Sequence, residues 1–159
     1  MKWSLYFLLQ LLLCLLLTYS SPTIAGNTEL TVTQKEYNCL AENIYYEARG
    51  EPLIGRIAVA YVVINRANST PTRSNLCGII YKPCQFSWTC ARKHGTKEED
   101  AWIESKKVAY AILQKGSMIV DPTHGARFYH RVELNPRWTL GFKFAIRFGD
   151  HIFYPRSAE

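Results

Sequence analysis

Residues 35–68 read KEYNCLAENIYYEARGEPLIGRIAVAYVVINRAN, and how this stretch folds decides the architecture. Lys35 to Arg49 carries apolar residues at helical spacing (Tyr37, Leu40, Ala41, Ile44, Ala48). It runs into Gly50-Glu51-Pro52, where glycine and proline stop a helix. Ile54 to Asn68 is dense in Ala, Val and Ile, so periodicity does not separate a buried strand from a buried helix there. A run of about 14 residues is long for a strand, and a buried helix is the expectation.

Beyond this pair, Asn68 to Asn75 (NSTPTRSN) is a loop by composition. Cys77 to Trp88 is short, β-branched and aromatic, and reads as extended structure or irregular turns. Thr96-Lys97-Glu98-Glu99 fits a capping box with Thr96 as the cap. The helix it opens carries Trp102, Ala109, Ile112 and Leu113 on one side and closes at Gly116. From Met118 the pattern changes to short apolar-aromatic runs, Ala126 to Tyr129, Phe144 to Phe148 and His151 to Tyr154, and Gly149-Asp150 fits a hairpin turn. Helices first and strands later predict an α+β domain, mainly helical with a small antiparallel β-sheet.

The N-terminus reads differently. Lys2 is the only charge before Glu29, Leu5 to Leu17 is apolar except for Gln10, and Thr23-Ile24-Ala25 precedes Gly26. A charged start, a short apolar run and a small-residue exit are the parts of a secretory signal peptide. A retained membrane anchor is the rival, but the run falls short of the roughly 20 residues that span a bilayer. Cys14 lies mid-run between leucines, which argues against a lipid-modified cysteine. The expected organisation is a signal peptide over 1–25, a flexible lead-in over 26–35 and one domain over 36–159. The protein would be secreted, in the periplasm or cell wall, with no stable membrane anchoring after signal removal.

At 48% hydrophobic the chain is too apolar for disorder, and no second long apolar run makes it polytopic. With 19 Lys+Arg against 13 Asp+Glu it suits anionic surroundings such as nucleic acid, a membrane face or an acidic wall. The basic residues are scattered, which disfavours nucleic acid. Beyond the signal segment, Cys39, Cys77, Cys84 and Cys90 form an even set, as disulfides outside the cytoplasm require. Four cysteines permit three pairings, and at least one bond among Cys77, Cys84 and Cys90 is expected. No C-x2-C or H-x3-H spacing occurs, so neither a structural metal nor a cofactor is expected.

One residue looks wrong for its position. On a wheel of 100° per residue, Glu47 falls only about 20° from Leu40, at the edge of the apolar stripe, whereas Glu42, Tyr45 and Arg49 point away. A carboxylate there faces the core at the last turn of a helix. Burial disfavours its charged form, and so does the helix C-terminus. A carboxylic acid kept protonated near neutral pH can donate a proton to a leaving group. The plainer alternative is a buried glutamate satisfied by Arg49 or by backbone groups. Glu51, one turn on, reads as capping or orienting the turn, or pairing with an arginine.

The run from Ala41 through Glu47-Ala48-Arg49-Gly50-Glu51-Pro52 into Gly55-Arg56-Ile57-Ala58-Val59-Ala60 and Val63-Ile64-Asn65-Arg66 closely resembles the opening of the spore-cortex-lytic cell-wall hydrolase family. Gln85-Phe86-Ser87-Trp88 resembles its central aromatic motif. Gly125-Ala126-Arg127-Phe128-Tyr129-His130 and Pro136-Arg137-Trp138 resemble its glycan-cleft segment, and Gly149-Asp150-His151-Ile152-Phe153-Tyr154 its closing hairpin. The resemblance covers about residues 36 to 155. It implies a lysozyme-like domain, similar to goose-type lysozyme and the lytic transglycosylases. It also implies cleavage of the β-1,4 bond between N-acetylmuramic acid and N-acetylglucosamine, with Glu47 in the catalytic acid role. The chain departs from the family in its four cysteines and in showing no separate peptidoglycan-binding module. A phage-encoded or general wall role is therefore as consistent as spore germination.

The resemblance further implies a lytic transglycosylase, which needs one carboxyl group. Asp121, Glu133 and Asp150 sit in turn-like contexts with no reason to face Glu47. A glycan cleft needs flat apolar surfaces and polar donors. Phe86, Trp88, Tyr129 and Trp138 are the candidates to stack on sugars, and Ser87, Tyr129 and His130 the candidates to hydrogen-bond them. Arg49, Arg56 and Arg66 read as structural ion-pair partners. The expected partner is a peptidoglycan glycan strand, and the protein is expected to be a monomer. Two other classes compete: a zinc-dependent peptidoglycan amidase or peptidase built on His124, His130 and His151, although no helical H-E-x-x-H pattern occurs, and a non-catalytic glycan-binding envelope protein.

Overall fold

The computed structural model describes residues 33–70, 75–90, 95, 97–115 and 118–155. The expected signal peptide over 1–25, the expected Thr96 cap and the expected Gly116 stop lie outside the described residues. Helix α1 spans Gln34–Ala48 and begins inside the stretch read as lead-in. Its start is fixed by a capping box that the sequence reading passed over: the Thr33 side chain accepts from Glu36 N at 3.2 Å, and Glu36 accepts from Thr33 N at 3.4 Å. Glu36 also accepts from Leu76 N, at 3.2 Å, and so ties the start of α1 to that of a later helix.

Helix α2, Leu53–Asn68, starts directly after Pro52. Its lack of a periodic stripe has a structural cause. Ala60 and Val63 pack into a cluster with Leu40 and Ile44 of α1 and Ile112 further on, while Val59 and Val62 pack into a second cluster with Ala126 and Phe153. A helix covered on two sides reads as apolar all round. Each such fully buried aliphatic side chain contributes roughly 1.5–3 kcal/mol from the area removed from water.

Over Cys77 to Trp88 the extended alternative is corrected, while irregular turns are found over 81–86. Leu76–Ile80 forms a short helix, α3, capped by the Asn75 side chain, which accepts from Gly78 N at 2.7 Å; turns and a 3-10 turn over Ser87–Cys90 follow. Five residues are too few to show a helical period. What holds them is the cap and a disulfide from Cys77 to Cys39 of α1. A second disulfide, Cys84–Cys90, closes the loop that contains the 3-10 turn and supplies the bond expected among the last three cysteines.

Helix α4, Glu99–Lys115, packs against α1. That packing corrects the placement of Tyr45, which is buried: its ring meets Trp102 edge-on at 6.1 Å and its hydroxyl accepts from Glu98 N at 2.8 Å. The wheel anticipates one buried face of α1, and a second helix covers another.

The sheet closes the chain. Strands β1 (Phe128–Arg131), β2 (Ile146–Phe148) and β3 (His151–Tyr154) are antiparallel in the order β1-β3-β2. Gly149 turns β2 into β3 at φ 57°, in the left-handed region that favours glycine. Register pairs Tyr129 with Phe153 and sets both Arg131 and Phe148 opposite His151. β1 begins two residues later than the apolar run that announced it, because Ala126 is buried in the core ahead of the strand. The architecture is the expected α+β class. No described helix is long and apolar enough to cross a membrane.

Candidate active site

Glu47 is the penultimate residue of α1, so its carboxylate sits at the unfavourable, electronegative end of the helix. Burial pushes its pKa above the ordinary glutamate value. Three groups oppose that rise without cancelling it: a hydrogen bond from Tyr129, and the charges of Arg66 and Arg131. The Tyr129 hydroxyl donates to Glu47 Oε2 at 2.6 Å. Burial and the neighbouring carboxylate hold the Tyr129 phenol well above its usual pKa, so it stays a proton donor.

The sheet positions that phenol. From β1 the Tyr129 ring stacks on Phe153 of β3 (centroids 5.4 Å apart, planes at 30°) and meets the edge of His151 at 5.2 Å. Arg66, in the last turn of α2, is held by its Nε donating to Arg127 O at 2.8 Å and by the Phe86 ring, 5.3 Å below its guanidinium. Burial lowers the Arg66 pKa, and the nearby Tyr129 and Glu47 oppose that shift.

A groove of about 360 Å³ opens over these side chains. Of the residues singled out from sequence, Glu47, Phe86, Ser87, Tyr129, His130 and Trp138 line it. Trp88 is not brought there. It stacks on Tyr46 (4.7 Å, 26°) and meets Tyr81 edge-on, because the 3-10 turn lays it against α1. Phe86 is only 4% exposed and carries the Arg66 guanidinium, so it braces the wall and has little surface left to stack on a sugar. His130 is also committed. Its Nδ1 bonds the Arg131 carbonyl and its Nε2 the Tyr154 hydroxyl, both at 2.8 Å, which leaves neither nitrogen for a ligand. Trp138, 43% exposed and edge-on to His130 and Tyr154, keeps an accessible ring, and Ser87 is exposed.

Sequence reasoning missed Arg66, Arg131 and Leu134 as site residues and quoted Gln85 and Pro136 only within motifs; all five line the same groove, as does His151, which was singled out only for the zinc alternative. Arg49 and Arg56 do serve as ion-pair partners, to Glu98 at 3.5 Å and Glu104 at 3.8 Å, whereas Arg66 faces Glu47. The sequence signal for Arg66 was a lone cation ending an apolar helix. Glu51 orients a turn, though not the adjacent one, and its side-chain partner is no arginine: it accepts from Asp150 N at 2.9 Å and lies 3.3 Å from His151 Nδ1.

Glu47 is the one carboxylate among the described residues lining the groove. Asp121 is occupied in its own loop, accepting from Asn65, Thr123 and Gly125. Glu133 pairs with Arg131, and Asp150 lies 3.9 Å from Arg147. His124, His130 and His151 do not form a metal centre: among the described residues no three His, Cys, Asp or Glu side chains come together to hold an ion.

The Cell Wall Hydrolase family model matches residues 50–154, beginning just after Glu47. The chain is 28% identical over 130 residues to a spore cortex-lytic enzyme of Halalkalibacterium halodurans, covering 81% of this chain and 37% of that protein. It is 27% identical over 131 residues to the Bacillus subtilis spore cortex-lytic enzyme, covering 82% and 41%. The chain thus spans about two-fifths of the length of these relatives. Among solved structures it is similar to the catalytic domain of the Bacillus cereus SleB protein, with TM-score 0.60 and 27% identity over 77% of this chain and 91% of that one. It is likewise similar to the catalytic domain of the germination-specific lytic transglycosylase SleB of Bacillus anthracis, with TM-score 0.59 and 28% identity over 77% and 95%. Matched over most of its described residues by the family model and by these folds, the chain belongs to the Cell Wall Hydrolase family.

Proposed function

We propose that this protein cleaves peptidoglycan glycan strands at the β-1,4 bond between N-acetylmuramic acid and N-acetylglucosamine, with Glu47 as the only acid and base. The observation that carries the reading is the half-buried Glu47 carboxyl, raised in pKa and the one carboxylate among the described residues lining its groove. Protonated Glu47 gives its proton to the glycosidic oxygen as the C1–O4 bond breaks, leaving an oxocarbenium-like muramoyl ring. A glycosidase of the usual kind would now need a second carboxylate to serve as nucleophile or to activate water. With no second carboxylate lining this groove among the described residues, the ionised Glu47 takes the proton of the muramoyl 6-hydroxyl instead. O6 then bonds to C1 and closes a 1,6-anhydro ring. No water is consumed, and Glu47 ends protonated again.

Tyr129 holds the carboxyl in place and stabilises its ionised form between the two proton transfers. Trp138 offers a ring to a sugar face, and Ser87 an exposed hydroxyl. The relatives named as spore cortex-lytic enzymes support a cell-wall substrate, and the Bacillus anthracis neighbour named as a lytic transglycosylase supports ring closure. Activity of this kind belongs outside the cytoplasm, on the wall or cortex, by a monomer that needs no cofactor. Mass spectrometry of digested peptidoglycan tests the reading: anhydromuramic ends are expected, and reducing muramic ends would replace ring closure with hydrolysis.

A further inference from the structure

The Glu51 carboxylate is nearly buried, 9% exposed, yet it does not line the groove. It is packed between two glycines from distant parts of the chain. A Cβ on Gly55 of α2 would lie 3.2 Å from Glu51 Cβ, and one on Gly149, in the β2–β3 turn, would lie 1.8 Å from Oε2. Gly149 must stay small for the carboxylate to fit, and a side chain at Gly55 would need Glu51 to give way by a few tenths of an ångström. Oε2 accepts from Asp150 N at 2.9 Å, and Oε1 stands 3.3 Å from Nδ1 of His151, which is 2% exposed. That last contact is at ion-pair distance without hydrogen-bond alignment. The edge of the His151 ring bears on Tyr129, and Tyr129 donates to Glu47. A carboxylate four residues beyond Glu47 is thus linked to it through the hairpin.

We propose that Glu51 is a positioning residue: it clamps the β2–β3 turn to the α1–α2 junction and holds His151 against Tyr129, so that the phenol stays aimed at Glu47. The inference rests on Glu47 being the acid. Burying a carboxylate costs free energy unless its partners repay it, so a glutamate enclosed here needs a reason beyond packing. The groups facing the cluster are Arg131, Asp150 and Glu133 around His151, and Tyr129, Arg66 and Arg131 around Glu47.

The test is Glu51→Gln in the full chain, beside Glu47→Gln, with the pH profile of kcat/KM on wall fragments. If Tyr129 is released, Glu47 loses a contact that lowers its pKa, and the alkaline limb moves to higher pH. The expected result is an upward move of about half a pH unit. A fall in kcat of about tenfold, with KM nearly unchanged, should accompany it. Gly149→Ala, which displaces the carboxylate without removing it, should move the limb in the same direction. A lower melting temperature with kcat and limb unchanged would make Glu51 merely structural and overturn the proposal. If Glu51→Gln does not fold, His151→Phe decides by the same criterion. Activity surviving in Glu47→Gln would instead remove the acid itself, a failure separable from that of Glu51.

Discussion

The hydroxyl of Tyr129 donates to Glu47 Oε2 at 2.6 Å, joining the end of the first helix to the first strand across 82 residues of sequence. The carboxyl therefore feels two opposed influences: burial favours its protonated form, and the phenol favours its ionised form. A group that gives and then retrieves a proton needs both states within reach near the working pH. Tyr129→Phe removes the donor while keeping the ring on Phe153. The alkaline limb of kcat/KM should move to higher pH, and kcat should fall by roughly 100- to 1000-fold, as for loss of one positioned donor. Steady-state kinetics across pH checks both.

Arg66 acts on the same carboxyl by charge alone. Arg66→Met should also raise the Glu47 pKa and carry the alkaline limb upward. It also removes the bond to Arg127 O, at a stability cost of about 1.5–3 kcal/mol for a hydrogen bond to a charged group. Arg66→Lys keeps the charge and should leave the limb closer to its original position. Pairing the pH profile with a denaturant melt separates the two effects.

Much of this was legible in the sequence, but unevenly. The break at Gly50-Glu51-Pro52, the Gly149-Asp150 turn and the oddly placed Glu47 are local signals, written within one helix turn or one hairpin. Arg66, Arg131 and the stacking of Trp88 on Tyr46 depend on which elements meet in space, and no local period encodes that. Thr33 and Glu36 did form a readable capping box. The polar residues before them resemble a tail, which masks that signal. The sequence singles out Glu47, while packing chooses its companions.

Burial of Glu47 also has a stability signature. Its folded pKa lies above the unfolded value, so between the two the native state binds more protons than the unfolded chain. Stability from this group is therefore full at low pH and lost as pH rises through that window. Glu47→Gln removes the penalty. The variant should melt above the wild type at pH 8, with the gap closing toward pH 4, as calorimetry at the two pH values would record. A constant gap, or one of opposite sign, would contradict the burial argument.

The two disulfides should contribute unequally. Cys39–Cys77 closes a sequence separation of 38, against 6 for Cys84–Cys90. Chain entropy alone gives about 4 kcal/mol for the longer loop and about 2 for the shorter. Replacing the first pair with alanines should therefore lower the melting temperature more than replacing the second, in parallel thermal scans.

The most direct measurement is the titration of the Glu47 side-chain carboxyl by carbon-13 NMR, assigned by its loss in Glu47→Gln. The account predicts a midpoint clearly above the ordinary glutamate value of 4.5 and coincident with the alkaline limb of kcat/KM. A midpoint at or below that value, or one unrelated to the kinetic limb, would contradict it.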